Sequence, residues 1–191
     1  MIIQLPPDFA ERLAPELARA GRREIGGVLV GEHIAEETFR LADFSVQRSG
    51  GAVACFVRHP AKHRRFLARF FARTGTDFER FNYLGEWHSH PSFEACPSGT
   101  DLAQMQAIVE DGEQAPHFAI LIIARLAFEG RIELSALAFT PFALPTPVDV
   151  HFVDRPANDP AAPVRQGSAI GTVVDSVLYW FRRVPAPGGI G

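Results

Sequence analysis

The stretch LGEWHSHPSFEACPSGTDLAQM, residues 84–105 of this 191-residue chain, constrains the fold and the chemistry more than any other feature. It contains His88 and His90, and then Ser98 and Asp101 after a proline-containing loop. The aromatic and apolar run before the histidines predicts a β-strand, and residues two apart on a strand point to the same face. The loop predicts a turn that folds back over the end of this strand. Two imidazoles and one carboxylate would therefore meet at one place.

These three side chains suit zinc. Zinc prefers four-coordinate surroundings with nitrogen, oxygen or sulfur ligands, and a catalytic zinc keeps its fourth position for water. His88, His90 and Asp101 would supply three ligands and leave the fourth position open. The spacing predicts one catalytic zinc ion per chain, with water in the fourth position.

The same residues also have simpler interpretations. Ser98, with an acidic residue three positions later and a helical run over residues 102–109, is close to a helix capping box. Two histidines also occur by chance on an alternating strand, and Glu24 follows two arginines as a solvated charge would. The cap and the metal site are compatible, because Asp101 can begin a helix and also bind a metal. The other five histidines are interpreted as ordinary surface or core residues: His33, His59, His63, His117 and His151.

The order His-x-His, seven residues, Ser-x-x-Asp resembles the JAMM motif of the JAB1/MPN/Mov34 metalloprotease family. That motif includes an upstream glutamate before a short glycine-containing strand, and Glu24 precedes such a stretch, IGGVLVG at residues 25–31. The resemblance covers roughly residues 6–141. It implies the MPN/JAB fold, an α/β (α+β) architecture with a curved mixed β-sheet flanked by helices, as in a cytidine-deaminase-like sandwich.

The resemblance also implies roles in the hydrolysis of an amide. His88, His90 and Asp101 would hold zinc, and Glu24 would act as the general base that takes a proton from water. The Ser98 hydroxyl would stabilise the oxyanion of the tetrahedral intermediate. Cys96, in the same loop, is interpreted as an ordinary loop residue. The alternative for Cys96 is a thiolate that visits the open zinc position and blocks it.

The family contains active isopeptidases, inactive scaffold subunits and prokaryotic members, and the complete ligand set favours an enzyme. The GEWHSHP form of the motif is similar to bacterial JAB proteins that are encoded beside ubiquitin-like, activating-enzyme-like and conjugating-enzyme-like proteins in antiphage defence operons. We therefore expect a deubiquitinase-like isopeptidase that cleaves after the C-terminal glycine of a ubiquitin-like protein, in precursor maturation or deconjugation. Two alternatives stay open: a JAMM hydrolase acting on a sulfur-carrier protein in cysteine or cofactor biosynthesis, and a non-catalytic MPN scaffold subunit.

Composition argues against several other classes of protein. The 19 basic and 22 acidic residues give no broad electrostatic reason to bind nucleic acid. No apolar window reaches the roughly 18 residues of a membrane span, and the N-terminus lacks the features of a signal peptide. Two cysteines do not make a disulfide framework. We expect a cytoplasmic protein.

Composition also divides the chain in two. Residues 1–143 are predicted to form a JAMM/MPN catalytic domain, and residues 144–191 a proline-rich C-terminal extension that wraps the domain or hangs free. The final apolar segment of this extension, residues 170–181, is either a last core element or a docking segment for a second subunit.

Periodicity places the elements of the first part. The patterns predict three helices, the first of which contains Pro15 and should be kinked or start late. The arginines of the second helix form either a solvated face or a basic patch for an acidic partner. Helices are predicted over residues 7–20, 60–74 and 101–111. Strands are predicted over residues 25–32, 38–46, 52–57, 81–87, 119–124 and 132–139.

Overall fold

The computed structural model describes residues 1–48, 51–52, 55–56, 59–113 and 115–163. Three α-helices lie in these ranges, α1 (Asp8–Ala20), α2 (Pro60–Arg73) and α3 (Gly99–Val109), together with a short 3₁₀ helix at Phe128–Gly130. The strands are β1 (Ile2–Leu5), β2 (Gly26–Ala35), β3 (Thr38–Phe44), β4 (Gly51–Ala52), β5 (Cys55–Phe56), β6 (Phe81–Ser89), β7 (Ala119–Leu126), β8 (Ile132–Phe139), β9 (Thr146–Pro147) and β10 (Asp149–Phe152).

Eight of the strands form one curved, mixed sheet in the order β10-β1-β3-β2-β6-β7-β8-β9. The outermost strands β9 and β10 are separated in the chain by Val148 alone. The Val148 N–H donates to Ala136 O on β8 at 3.0 Å, and the Asp149 N–H donates to Met1 O at 3.1 Å. One short segment therefore contacts both ends of the sheet, which makes the sheet nearly closed. The predicted fold class, helices flanking a curved mixed sheet, is confirmed.

Helix α1 covers one face of the sheet. Phe9, Leu13 and Leu17 recur every four residues and are buried in the apolar cluster on that face. The helix starts at Asp8 and continues through Pro15, so of the two predicted alternatives, a kink or a late start, the late start is wrong. A proline inside a helix costs about 3 kcal/mol, whereas burying each large apolar side chain contributes about 1.5–3 kcal/mol. The apolar stripe on both sides of Pro15 thus outweighs the lost hydrogen bond.

Helices α2 and α3 cover the opposite face. Leu67, Phe70 and Phe71 of α2 pack there with Met105 and Ile108 of α3. The predicted helix over residues 60–74 is confirmed. Three of its four arginines are exposed. The fourth, Arg73, turns inward and donates to Asp43 and to the Ala161 carbonyl.

Two predicted elements differ in detail. The strand predicted over residues 52–57 is instead a pair of two-residue strands, β4 and β5, which pair with each other antiparallel. Residues 146–152 of the proline-rich extension join the sheet as edge strands, where proline does not interrupt a ladder of hydrogen bonds on both sides. The boundary at residue 143 stays a prediction. The predicted apolar segment over residues 170–181 lies outside the described residues.

A bulge in β6 decides which way the strand presents its side chains. The register opposite β2 shifts between Leu29 and Val30, so Leu84 is an extra residue on β6. Gly85 follows with a φ of 147°, and a Cβ there would lie 1.9 Å from Ile120 O. A shift of one residue moves the following side chains to the other face. Tyr83 packs with α2 and α3, and Trp87 packs on the α1 face.

In the described ranges, no helix has the length and apolar character needed to cross a membrane.

Candidate metal centre

The end of strand β6 brings two histidines together. Because Trp87 points to the α1 face, His88 and His90 point to the face that carries α2 and α3. Both rings are buried, and their Nε2 atoms lie 3.2 Å apart. The side chains therefore meet as the strand alternation predicts, and the Gly85 bulge places them beside α3.

Asp101 reaches the histidines from the first turn of α3. Its Oδ1 lies 3.2 Å from His88 Nε2, and its Oδ2 lies 3.5 Å from His90 Nε2. Ser98 is the N-cap of this helix, and its hydroxyl accepts from the Asp101 N–H at 3.2 Å. The Ser98 N–H and hydroxyl both donate to Asp101 Oδ2, at 2.7 and 2.6 Å. The capping box is confirmed, and the same aspartate faces the histidines.

The donor set fits a zinc ion. One ligand atom from each of His88, His90 and Asp101 can be chosen so that all lie within 4.8 Å of one another. His90 Nδ1 lies 3.2 Å from the Glu94 carbonyl oxygen, which can only accept. In the neutral ring this contact places the proton on Nδ1, so the Nε2 lone pair faces the other two ligands. Two nitrogens and one oxygen leave one tetrahedral position open.

The charges at the site favour metal binding at neutral pH. Burial lowers the pKa of His90, and the neighbouring His88 lowers it further, so His90 is neutral. Burial alone would raise the pKa of Asp101, but the hydrogen bonds and charge of His88 and the hydrogen bonds from Ser98 hold it well below its usual range. Asp101 is therefore a carboxylate, and His90 offers a free lone pair.

Glu24 is buried beside this group, two residues before the start of β2. The next residue is tied to β6, because the Ile25 N–H donates to Ser89 Oγ at 3.0 Å and the Ser89 N–H donates to Ile25 O at 2.8 Å. Ser89 stands between the two histidines, so this pairing fixes Glu24 close to them. Burial raises the pKa of Glu24, with the negative charge of Asp101 adding to the rise and His88 opposing it.

The structure thus brings together the three predicted ligands and buries Glu24 nearby. Ser98 contacts Asp101, and with this hydrogen bond its one hydroxyl proton points to the carboxylate. The sulfhydryl of Cys96 is free and its side chain is exposed, so the blocking role remains a hypothesis.

Sequence reasoning missed three residues that build the site. Ser89 ties Glu24 to the strand, Gly85 sets the side-chain direction, and Arg125 donates to the Phe93 carbonyl in the loop before α3. The sequence contained one indication of Arg125, because it is the only arginine, lysine, aspartate or glutamate in the apolar run over residues 117–128.

Comparison with known proteins identifies the family and the fold. A CD-NTase/cGAS isopeptidase of Enterobacter hormaechei subsp. hoffmannii is 30% identical over 134 residues, which span 66% of this chain and 68% of that protein. The solution structure of a Desulfitobacterium hafniense protein has a TM-score of 0.63 at 15% identity, over 83% of this chain and 98% of that one. This second likeness concerns the fold alone. Residues 6–135 match the family described as prokaryotic homologs of the JAB domain, so this chain belongs to that family.

Proposed function

We propose that this protein is a zinc-dependent isopeptidase that hydrolyses the amide bond after the C-terminal glycine of a ubiquitin-like protein. The observation that carries the proposal is the convergence of His88, His90 and Asp101 within 4.8 Å beside a buried glutamate. The name of the Enterobacter relative, an isopeptidase, supports the reaction class. A complete set of metal ligands also argues against a scaffold subunit.

In this proposal the metal ligands are His88 Nε2, His90 Nε2 and Asp101 Oδ1. Zinc held by these residues would supply a Lewis acid that polarises the substrate carbonyl and lowers the pKa of water to about 7. The Glu94 carbonyl keeps the His90 proton on Nδ1, and Ser98 keeps the carboxylate of Asp101 turned towards the histidines.

Glu24 is the proposed general base. A carboxylate whose pKa is raised by burial accepts a proton more readily, and it can later give that proton to the leaving amine. Ser98 is the proposed oxyanion donor. That role requires the hydroxyl to turn away from Asp101 Oδ2, to which it donates in this structure.

We also propose a cellular role, which rests on the motif resemblance and on the relative's name. The enzyme would mature a ubiquitin-like precursor, or remove the ubiquitin-like protein from its conjugates, in a bacterial antiphage defence system in the cytoplasm. Its partners would be that ubiquitin-like protein and its conjugates, with activating-enzyme-like and conjugating-enzyme-like proteins in the same system.

The test uses a ubiquitin-like protein with a short C-terminal extension as substrate. Wild type, Glu24→Gln and the control Glu36→Gln, an exposed glutamate in the turn after β2, are compared at matched zinc content. We expect Glu24→Gln to cleave about 10²–10⁴-fold more slowly after the terminal glycine, and Glu36→Gln to match wild type.

The other outcomes point to the alternatives. Cleavage of a sulfur-carrier precursor but not of a ubiquitin-like one would leave the proposed reaction in place and change the substrate to a sulfur-carrier protein. Zinc binding without cleavage of either precursor would overturn the peptidase and favour a binding subunit.

A further inference from the structure

The loop of residues 91–98 connects β6 to α3 and so determines where His90 and Asp101 meet. Two successive carbonyls in this loop are held from different sides. The Glu94 carbonyl accepts from His90 Nδ1 at 3.2 Å, and the Phe93 carbonyl accepts from Arg125 Nη1 at 3.2 Å. The two successive peptide groups on either side of the Glu94 Cα are thus each held by a hydrogen bond.

Arg125 is itself held in place by the sheet. It lies on β7 directly after Ala124, whose carbonyl accepts from the His90 N–H at 3.0 Å. Its Nη2 lies 2.7 Å from Glu133 Oε2, and Glu133 is its cross-strand partner on β8. The side chain is only 31% exposed. The guanidinium therefore reaches the loop from a strand that already fixes the backbone of the metal ligand.

We propose that Arg125 is a positioning residue for the metal ligand His90. By holding the Phe93 carbonyl, it fixes the adjacent Glu94 carbonyl where His90 Nδ1 can donate to it. That hydrogen bond sets both the direction of the imidazole ring and the nitrogen that carries its proton. Nε2 then faces His88 and Asp101 with its lone pair. This inference rests on the proposed metal site.

The physical basis is the usual dependence of a metal ligand on its outer hydrogen-bond partner. Loss of such a partner typically weakens metal binding by about 10–100-fold, because the ring is no longer held in one orientation and tautomer. Here the outer partner is the Glu94 carbonyl, which also accepts from the Cys96 N–H at 2.8 Å within the same loop. The Cys96 hydrogen bond does not tie the loop to the sheet, whereas Arg125 does so through a charge-assisted hydrogen bond.

A purely structural role for Arg125 predicts different behaviour. The Arg125–Glu133 pair joins β7 to β8, and Glu133 is 48% exposed, so this pair alone contributes little to stability. If Arg125 acted only through this pair, Arg125→Met would lower the unfolding midpoint slightly and leave metal affinity unchanged. Glu133→Gln would then have the same effect as Arg125→Met.

The experiment measures the zinc dissociation constant of the full chain by competition with a chromophoric chelator. The variants are Arg125→Met, Arg125→Lys, Glu133→Gln and the control Arg131→Met. Arg131 is an exposed arginine of the same hairpin, and its side chain has no ion pair with any part of the chain that the structure describes. The visible spectrum of the cobalt-substituted protein reports the coordination geometry independently, and thermal unfolding of the apo form reports stability.

We expect Arg125→Met to bind zinc about 10-fold more weakly, at the lower end of the loss for a direct outer partner, with a changed cobalt spectrum. Arg125→Lys, which keeps one charged donor, should recover part of the affinity, and Glu133→Gln and Arg131→Met should stay within about threefold of wild type. Equal zinc affinity and an unchanged cobalt spectrum in Arg125→Met would overturn the positioning role while the metal site stands. Failure of the wild type itself to bind zinc would overturn the metal site and this inference together.

Discussion

Two carboxylates with little solvent exposure, one on the sheet and one on α3, are held by different kinds of partner. Asp43, on β3, accepts from Arg12 at 2.6 Å and from Arg73 at 3.0 Å, and one of its oxygens also accepts from the Phe44 N–H. Asp101 faces two histidines and a serine instead. Both side chains are little exposed, at 7% and 14%. They differ in whether their partners carry a permanent charge.

This difference separates a structural carboxylate from a site that is ready for a cation. Arginine stays protonated at any accessible pH, so Asp43 is neutralised by the protein itself. A neutral histidine such as His90 brings a lone pair and no positive charge. The partners of Asp101, two histidines and a serine, carry no permanent positive charge, so a metal cation can balance this carboxylate, and the histidine lone pairs would be its further ligands.

His88→Ala removes one of the two histidines that face Asp101, and we expect the largest effect from this change. One of three ligands is lost, so zinc affinity should fall by more than the roughly 100-fold that marks the upper end for outer partners. Cleavage should become undetectable. Zinc content after dialysis against a weak chelator measures the loss, and retention of one zinc per chain would contradict the assigned ligand set.

Asp43→Ala removes the carboxylate that Arg12 and Arg73 share. It leaves Arg12 and Arg73 without their shared anion, and removal of one partner from a buried ion pair costs about 3–5 kcal/mol. Denaturant unfolding of the zinc-free protein should show this loss, while the zinc affinity of the protein that remains folded is unchanged. Asp111→Ala, at an exposed aspartate after α3, is the control. Weaker zinc binding in Asp43→Ala would mean that the two groups are not independent.

Ser98→Ala tests whether a neutral partner is enough to orient Asp101, because the Ser98 hydroxyl donates to its carboxylate. Loss of the N-cap should lower the free energy of unfolding by about 0.5–2 kcal/mol. It should also weaken zinc binding by about 10-fold, since the carboxylate loses an orienting hydroxyl. Ser98→Thr keeps the hydroxyl and should restore both quantities. Wild-type zinc affinity in Ser98→Ala would show that the Ser98 hydroxyl is not needed to orient the Asp101 carboxylate.

Glu16→Gln extends the comparison to the surface and should have the smallest effect. Glu16 accepts two hydrogen bonds of 2.7 Å from Arg48, which is 59% exposed. These hydrogen bonds lower the pKa of Glu16 below its ordinary 4.5. The pair therefore stabilises the folded state above that pH, and its contribution disappears as the pH falls through the lowered pKa. Its size should stay below about 1 kcal/mol.

The measurement for this variant compares unfolding free energies of wild type and Glu16→Gln at about pH 7 and about pH 3. The difference should shrink at the lower pH. A difference that stays constant would assign the effect of the substitution to something other than the charge of Glu16.

The cluster of His88, His90 and Asp101 could be predicted because the three residues lie close together in the sequence. Strand alternation brings His88 and His90 to one face, and a short loop returns Asp101 to them. The helical stripes of α1 and α2 were predictable for the same reason: local periodicity reports burial. These features depend on neighbouring residues, and the structure places the three ligands together as that reasoning expects.

What could not be predicted depends on pairing between distant segments. Asp43 meets arginines 31 and 30 positions away, and nothing local marks it as different from a solvated aspartate. The Gly85 bulge is visible only once Ile120 is known to lie against it. Residues 146–152 contain proline and seemed unsuited to the sheet, yet edge positions accept them.

The nearly closed sheet also determines the order in which the chain can fold. Strand β1 stands between β3 and β10, so residues at the two ends of the described chain are paired side by side. Contacts between such distant residues form slowly and late. During synthesis, β1 and β8 must wait with one unpaired edge each until Thr146–Phe152 has left the ribosome. Until then these edges are open to pairing with other chains, and the proline-rich segment ends that exposure when it arrives.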